Sequence, residues 1–394
     1  MPALPADHTG VRIKRLRREH HLTQRALADL SGVSYSTLTK VEQGQIPASP
    51  HVTASIARAL RISHATVLGQ PYVDELRADD LDILIRPIRE ALDVYDLGPD
   101  PEISPRPQQL LAADAEALLA AVRAGEIKQA ASQVAGLIQE TTTAAHLAKT
   151  TEAWRLLASL YRTAYDVAAK LGFGDLAAIS LSRMDWAATA AGDAVVGGMY
   201  RYMRALTYMR EGQYRTGARL ITLGLSALEQ AAPGREREVL TGQLHLGAAV
   251  MAGRAQDKSL AELHLGEADR IAVGTGEAGR VHWLSFGPTN VAVHRVSVQA
   301  EMDDYGTAVE TADRLGFPSG WPASRRAHHY AEVARAQVWT GDTDSAFVNL
   351  LRARKIAPQQ SRYHPTVRET YLALDAGKRR LPDSFISYGV WLGL

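Results

Sequence analysis

The sequence predicts an all-α chain, with a head of five short helices followed by a helical-repeat body. Three observations predict it. Strict alternation of apolar and polar residues is absent, and Ala and Leu recur at helical spacing along the 394 residues. Turn-forming residues near Gly125, Gly172, Gly212, Gly253, Asp303 and Gly341 follow one another at intervals of 47, 40, 41, 50 and 38. An interval near 40 in a helical segment is the period of stacked helical hairpins. The first 70 residues differ, with short apolar clusters punctuated by Ser, Thr and Gly where helices are capped. The resulting division is residues 1–70 as the head, 71–107 as a connector and Pro-rich linker, and 108–394 as the body.

In the head, "GVRIKRLRREHHL" is a helix with Val11, Ile13 and Leu16 inward. Thr23 caps the next helix, "QRALADLS", which offers Leu27 and Leu30 to the core and Ala28 to a close neighbour. Gly32 permits a positive φ in the tight turn that follows. Ser34 caps a third helix that runs to about Gln43 and is ended by Gly44. "HVTASIARAL" and "SHATVLG" supply the fourth and fifth. The third helix is unusual: "LSGVSYSTLTKVEQG" (residues 30–44) has five Ser or Thr among fifteen residues, and these are mediocre helix formers. Val33, Leu38 and Val41 bury one face. Ser34, Tyr35, Ser36, Thr39 and Lys40 make the other, a polar face placed outward.

Next come the connector and body. "LDILIRPIREALDVYDL" is amphipathic, and Pro87 should kink or break it. "GPDPEISPRP" is the linker. In each hairpin a small residue follows the turn where two helix axes approach: Ala130, Ala177, Ala218, Ala261, Ala308 and Ala346. The first helices of the hairpins, about 152–171, 196–211, 236–253, 283–302 and 323–340, carry rings and amides. Trp154, Tyr161, Tyr165, Tyr200, His245, Trp283, Asn290, His294 and His328 are the candidates for a ligand groove, with core packing as the alternative role of each ring.

Composition and motifs exclude several classes. There is no Cys, hence no disulfide framework or thiol chemistry. "MPALPADHTG" has no apolar leader region and no apolar run reaches membrane-helix length, so a cytoplasmic location without membrane attachment is expected. "GTGEAG" (residues 274–279) matches a dinucleotide-binding fingerprint only in letters, because a helical pattern precedes it. Neither H-E-x-x-H, G-x-x-x-x-G-K-[ST] nor G-x-S-x-G occurs, so no metal, cofactor or enzymatic activity is expected. Net charge is +1, yet residues 1–70 hold nine Lys or Arg against four Asp or Glu, and the rest of the chain carries −4. Five of those nine fall in "RIKRLRR", so the head suits a polyanion and the body does not.

"LTQRALADLSGVSYSTLTKVEQGQIP" resembles the helix-turn-helix of the phage-repressor (XRE) family, over about residues 10–70. The match lies in Gln at the start of the second helix, Leu-Ala within it, Gly in the turn, and a final Glu-x-Gly with Pro after it. Ser31 departs from it, since many members have a larger apolar residue there. The resemblance implies that the third helix enters the major groove while the second lies across the backbone. It assigns base contacts to Tyr35, Ser36 and Lys40, with Thr39 on the same face, and phosphate contacts to Thr23, Gln24, Ser34 and Gln43. It also implies an Arg17–Glu42 salt bridge that either sets the pose of the third helix or simply stabilises the head.

The body resembles degenerate tetratricopeptide repeats, closed by "ARKIAP". "FGPTN…H" and "RYHPTVRE" resemble segments of actinobacterial regulators that join such a head to such a body. Peptide-responsive quorum-sensing regulators combine the same two modules. These resemblances imply a homodimer on a double-stranded DNA operator, with a peptide or small-molecule effector in the body. The alternative is an adaptor whose body holds a partner protein.

Overall fold

The computed structural model describes residues 8–377 and 382–394. Residues 1–7, on which most of the leader reading falls, lie outside the described residues. The architecture is all-α, and the β pairing among the described residues is a single bridge between Ala278 and Phe286. Ala278 lies within "GTGEAG", whose first two residues end a helix, so the segment leaves a helix and is not a strand-to-helix turn.

The head has five helices: α1 (Thr9–Glu19), α2 (Gln24–Ser31), α3 (Tyr35–Glu42), α4 (Pro50–Leu60) and α5 (His64–Leu68). Thr23, Ser34, Ser49 and Ser63 cap the last four, each side chain accepting from the backbone N–H three residues on. Gly32 turns the chain between α2 and α3 at φ 72°. Ile13, Leu27, Leu38, Val41, Ile56 and Val67 fill the core. Leu30 does not join them and is 58 % exposed. Leu27, Ala28 and Ser31 define the inward face of α2, and Leu30 lies roughly 100° around the helix from its centre. Ser31 is satisfied without a larger residue, because its hydroxyl donates to the Leu27 carbonyl at 2.7 Å and accepts from the Val33 N–H.

Gly10 sets how closely α1 meets the end of α3. A Cβ there would stand 1.8 Å from the Val41 carbonyl oxygen, a backbone atom that cannot rotate away. Gly10→Ala is therefore expected to destabilise the head by about 1–3 kcal/mol, read as a lowered denaturation midpoint. An unchanged midpoint would show that the two helices part without cost.

The connector forms α6 (Val73–Ala78), a 3-10 turn (Asp82–Leu84) and α7 (Ile85–Asp93). Pro87 kinks nothing. The chain breaks ahead of it, and Pro87 occupies the first turn of α7, where its missing N–H would have had no intrahelical partner. No helix spans residues 94–107.

Six hairpins follow. They are α8 (Gln108–Ala124) with α9 (Ile127–Ala148), α10 (Thr151–Leu171) with α11 (Gly174–Ala191), and α12 (Ala194–Arg210) with α13 (Tyr214–Glu229). Then come α14 (Arg235–Arg254) with α15 (Lys258–Thr275), α16 (Pro288–Glu301) with α17 (Tyr305–Asp313), and α18 (Ala323–Thr340) with α19 (Thr343–Ile356). Short helices α20 (Pro358–Arg362), α21 (Pro365–Gly377) and α22 (Asp383–Leu392) end the chain.

The small residue falls at the fourth position of every second helix. Ala130, Ala177, Ala261, Ala308 and Ala346 are buried there. In α13 that position is Gly217, where a Cβ would meet Met251 Sδ at 2.5 Å, and Ala218 is exposed. Gly253 likewise is not a turn residue. It lies inside α14, and the chain reverses at Gln256 with φ 61°.

Two features of the assembly have no local signature. First, the row of hairpins closes on itself. α8 packs against α18, the Lys128 N–H donates to Gln359 Oε1 at 2.9 Å, and Lys170 Nζ donates to Gln360 Oε1 at 2.6 Å. Second, the head docks on the body. Arg58 Nη1 donates to the Gly212 carbonyl at 2.8 Å. The Thr9 N–H donates to the Glu369 carboxylate at 3.1 Å, and Arg12 Nη2 pairs with the same group at 3.1 Å. The connector is clamped by Arg368, which pairs with Glu75 at 2.6 Å and stacks on Tyr72 with its guanidinium carbon 4.1 Å from the ring centre.

Candidate nucleic-acid interface

The pose of α3 is held from beneath. Arg17 Nε and Nη2 donate to the two oxygens of Glu42 at 2.7 and 2.9 Å, and both residues are buried. Arg17 Nη1 donates to the Leu22 carbonyl at 2.8 Å. Hydrogen bonding to Glu42 holds the guanidinium above its ordinary pKa. This two-bond pair joins α1 to the last residue of α3, the geometry for which Arg suits better than Lys. Gln24 completes it, its amide donating to Glu42 Oε2 at 2.8 Å. Gln24, a candidate for phosphate, thus spends its amide group on the carboxylate that anchors α3.

Above this anchor the outer face of α3 is open. Ser34, Tyr35, Ser36, Lys40 and Gln43 are exposed, as is Thr23 at the start of α2. Thr39 is half-buried, its hydroxyl donating to the Tyr35 carbonyl at 2.9 Å. Ser34 caps the helix and donates to Thr37 Oγ1, and Gln43 Oε1 accepts from Gln45. The Tyr35 ring lies under the Arg25 guanidinium at 5.9 Å. Arg25, exposed in the first turn of α2, is a cation on this face that pattern reading passed over. The signal for it was its place beside Gln24. Arg12 is the opposite case. It sits in the basic run "RIKRLRR", yet its guanidinium serves Glu369 and the Val67 carbonyl.

The groove candidates separate into two groups. Tyr165, Trp283 and His328 line a partly open cavity of about 360 Å³ between the ring of hairpins and α4–α5 of the head. Trp283 reaches it from a 3-10 turn (Val281–Trp283) that precedes α16, and not from a first helix as its pattern predicted. The other six do not line it. Trp154 packs edge-on against Trp186 and His146, and Tyr161 is core. Tyr200 accepts from Arg204, and His245 faces His264 across its own hairpin at 3.0 Å. Asn290 is buried behind the wall, donating to Gln243 and accepting from Arg325 Nη2 at 3.1 Å. His294 bonds the Asn290 carbonyl through Nδ1 at 2.8 Å.

A family model described as a helix-turn-helix domain matches residues 8–68. The head is therefore a helix-turn-helix domain, a DNA-binding module, with α2 and α3 as its two motif helices. No curated protein and no solved structure matches the chain. Among the described residues, no helix is long and apolar enough to cross a membrane.

Proposed function

We propose that this chain is a sequence-specific DNA-binding transcriptional regulator, not an enzyme, whose body senses a peptide or small-molecule effector and pairs two copies on one operator. One observation carries the reading: the head has two working faces. Its α3 face is open and set by the Arg17–Glu42 pair, while α4 and α5 form one wall of the body cavity. An occupant of that cavity touches both the sensor and the DNA reader, so occupancy biases the pose of the head. Pairing follows from geometry, since one short helix reads only a few base pairs and repressor-like heads bind half-sites about one turn (~10 bp) apart.

The test is selection of an operator from random duplexes by the full chain, followed by affinity measurement at fixed salt. Tyr35→Ala combined with Lys40→Ala is expected to weaken the selected site by at least ~30-fold and non-specific DNA far less, because base contacts are worth ~1–3 kcal/mol each. Equal affinity of the double variant for the operator would remove α3 as the reading helix.

A further inference from the structure

We propose that the cavity between head and body is a binding site for a small organic anion carrying a phosphate or paired carboxylates. This deepens the sensor reading and rests on it. Six cationic side chains line the cavity: Arg123, Arg162, Lys170, Arg210, Arg254 and Arg325. Three carboxylates share it, and each is already engaged. Asp166 pairs with Arg123 at 3.2 Å, Glu332 with Arg335 at 2.7 Å and Glu369 with Arg12 at 3.1 Å. Arg254 is matched by Glu301.

That leaves four cations whose hydrogen bonds go to neutral groups: Arg162, which is buried, Lys170 and Arg325, which are half-buried, and Arg210, which is exposed. Lys170 donates to Gln360, Arg210 to the Tyr165 hydroxyl, Arg325 to Asn290, and Arg162 to the His282 carbonyl. Arg162 is 3 % exposed and has two further N–H groups, at Nε and Nη2, with no partner. Uncompensated buried charge is costly and is retained where something matches it. Burial pushes Lys170 down to about 7 and Arg162 down to about 10 and lowers Arg325 as well, whereas the neighbouring Tyr165 holds Arg210 above its ordinary value.

The cavity histidines do not add to the surplus, because burial keeps His64, His328 and His364 neutral, with His64 and His364 each lowered to about 4. Leu68, Met203, Leu206 and Trp283 form an apolar part of a wall that also carries hydroxyls and amides, which suits the carbon skeleton that bears the anionic group. Leu68 belongs to the head, so the same ligand bridges the two parts.

The experiment is thermal unfolding of the full chain with pyrophosphate or citrate against sodium chloride at equal ionic strength. At least one of the two anions is expected to raise the midpoint by ~3 °C or more at saturation. Arg162→Met with Arg325→Met is expected to abolish that rise, while the ligand-free double variant melts at or above the parent because costly charge has gone. Should the double variant fail to fold, Lys170→Gln alone is expected to halve the rise. No rise with either anion overturns the proposal, and so does an undiminished rise in a folded variant. Operator affinity of the same parent sample separates the two readings: intact DNA binding without an anion response removes the anion site alone.

Discussion

Glu42→Ala is expected to destabilise the head, close to the point of unfolding, while leaving the body helical. The substitution strands the Arg17 guanidinium, buried beneath α3 and deprived of the carboxylate that takes two of its donors. It also frees the Gln24 amide. Removing one partner of a buried pair costs about 3–5 kcal/mol, comparable to the whole stability of a domain of this size. The measurement is urea unfolding followed by near-ultraviolet and far-ultraviolet dichroism, with DNA binding read in parallel. Expected is a new low-urea transition of small helical amplitude and loss of operator binding. Arg17→Met with Glu42→Leu is expected to recover most of the stability, because neither charge is then buried. A Glu42→Ala midpoint equal to the parent's would show that the pair contributes nothing.

Acid is expected to weaken the body well before its carboxylates titrate. His294 and His329 are buried, and burial drives their pKa values down to about 3 and about 4 from an ordinary 6.5. For His294 the neighbouring Arg325 adds to the effect. In the folded chain both rings stay neutral down to those values, whereas the unfolded chain takes up protons near 6.5. Between these limits the unfolded state holds more protons, so stability is complete above pH 6.5 and falls as pH is lowered toward 4. At pH 5 the loss is on the order of 2 kcal/mol for each ring. Urea midpoints at pH 7.5 and 5.0 test this, and His329→Gln is expected to flatten the difference. Equal midpoints at the two pH values would mean that the rings are protonated in place at no cost.

The elements legible in the sequence were those whose cause is local. Thr23 and Ser34 cap helices because a hydroxyl reaches a backbone N–H three residues away, and Gly32 turns the chain because it alone adopts positive φ without strain. The small residue at the fourth position of each second helix was legible as well, although α13 meets the requirement with Gly217 instead of Ala218. Where a short pattern admitted two phases, reading failed. Leu30 has the spacing of a core residue but the wrong angle on α2, and Gly253 has the composition of a turn but lies a few residues short of one.

The ligand candidates show the same division. Aromatic and amide residues on the first helices were visible, but which of them meet empty space depends on helices far apart in the chain. Tyr165, Trp283 and His328 reach the cavity, while Asn290 sits one layer behind it, steadying Arg325. The cations that define the cavity drew no notice in sequence, because Arg and Lys on helices read as solvated by default.

By itself, then, the sequence determined the all-α class, the helix-turn-helix with its polar outer face, and the succession of hairpins. Each of these is set by contacts within a few residues or by a repeated period. Tertiary structure alone decided that α8 meets α18, that Thr9 and Arg12 reach Glu369 across about 360 residues, and that six cations converge on one space. Such pairings join surfaces that each look ordinary by themselves. Their energy comes from burying charge and apolar area together, and it exists only once the ring has closed and the head has docked.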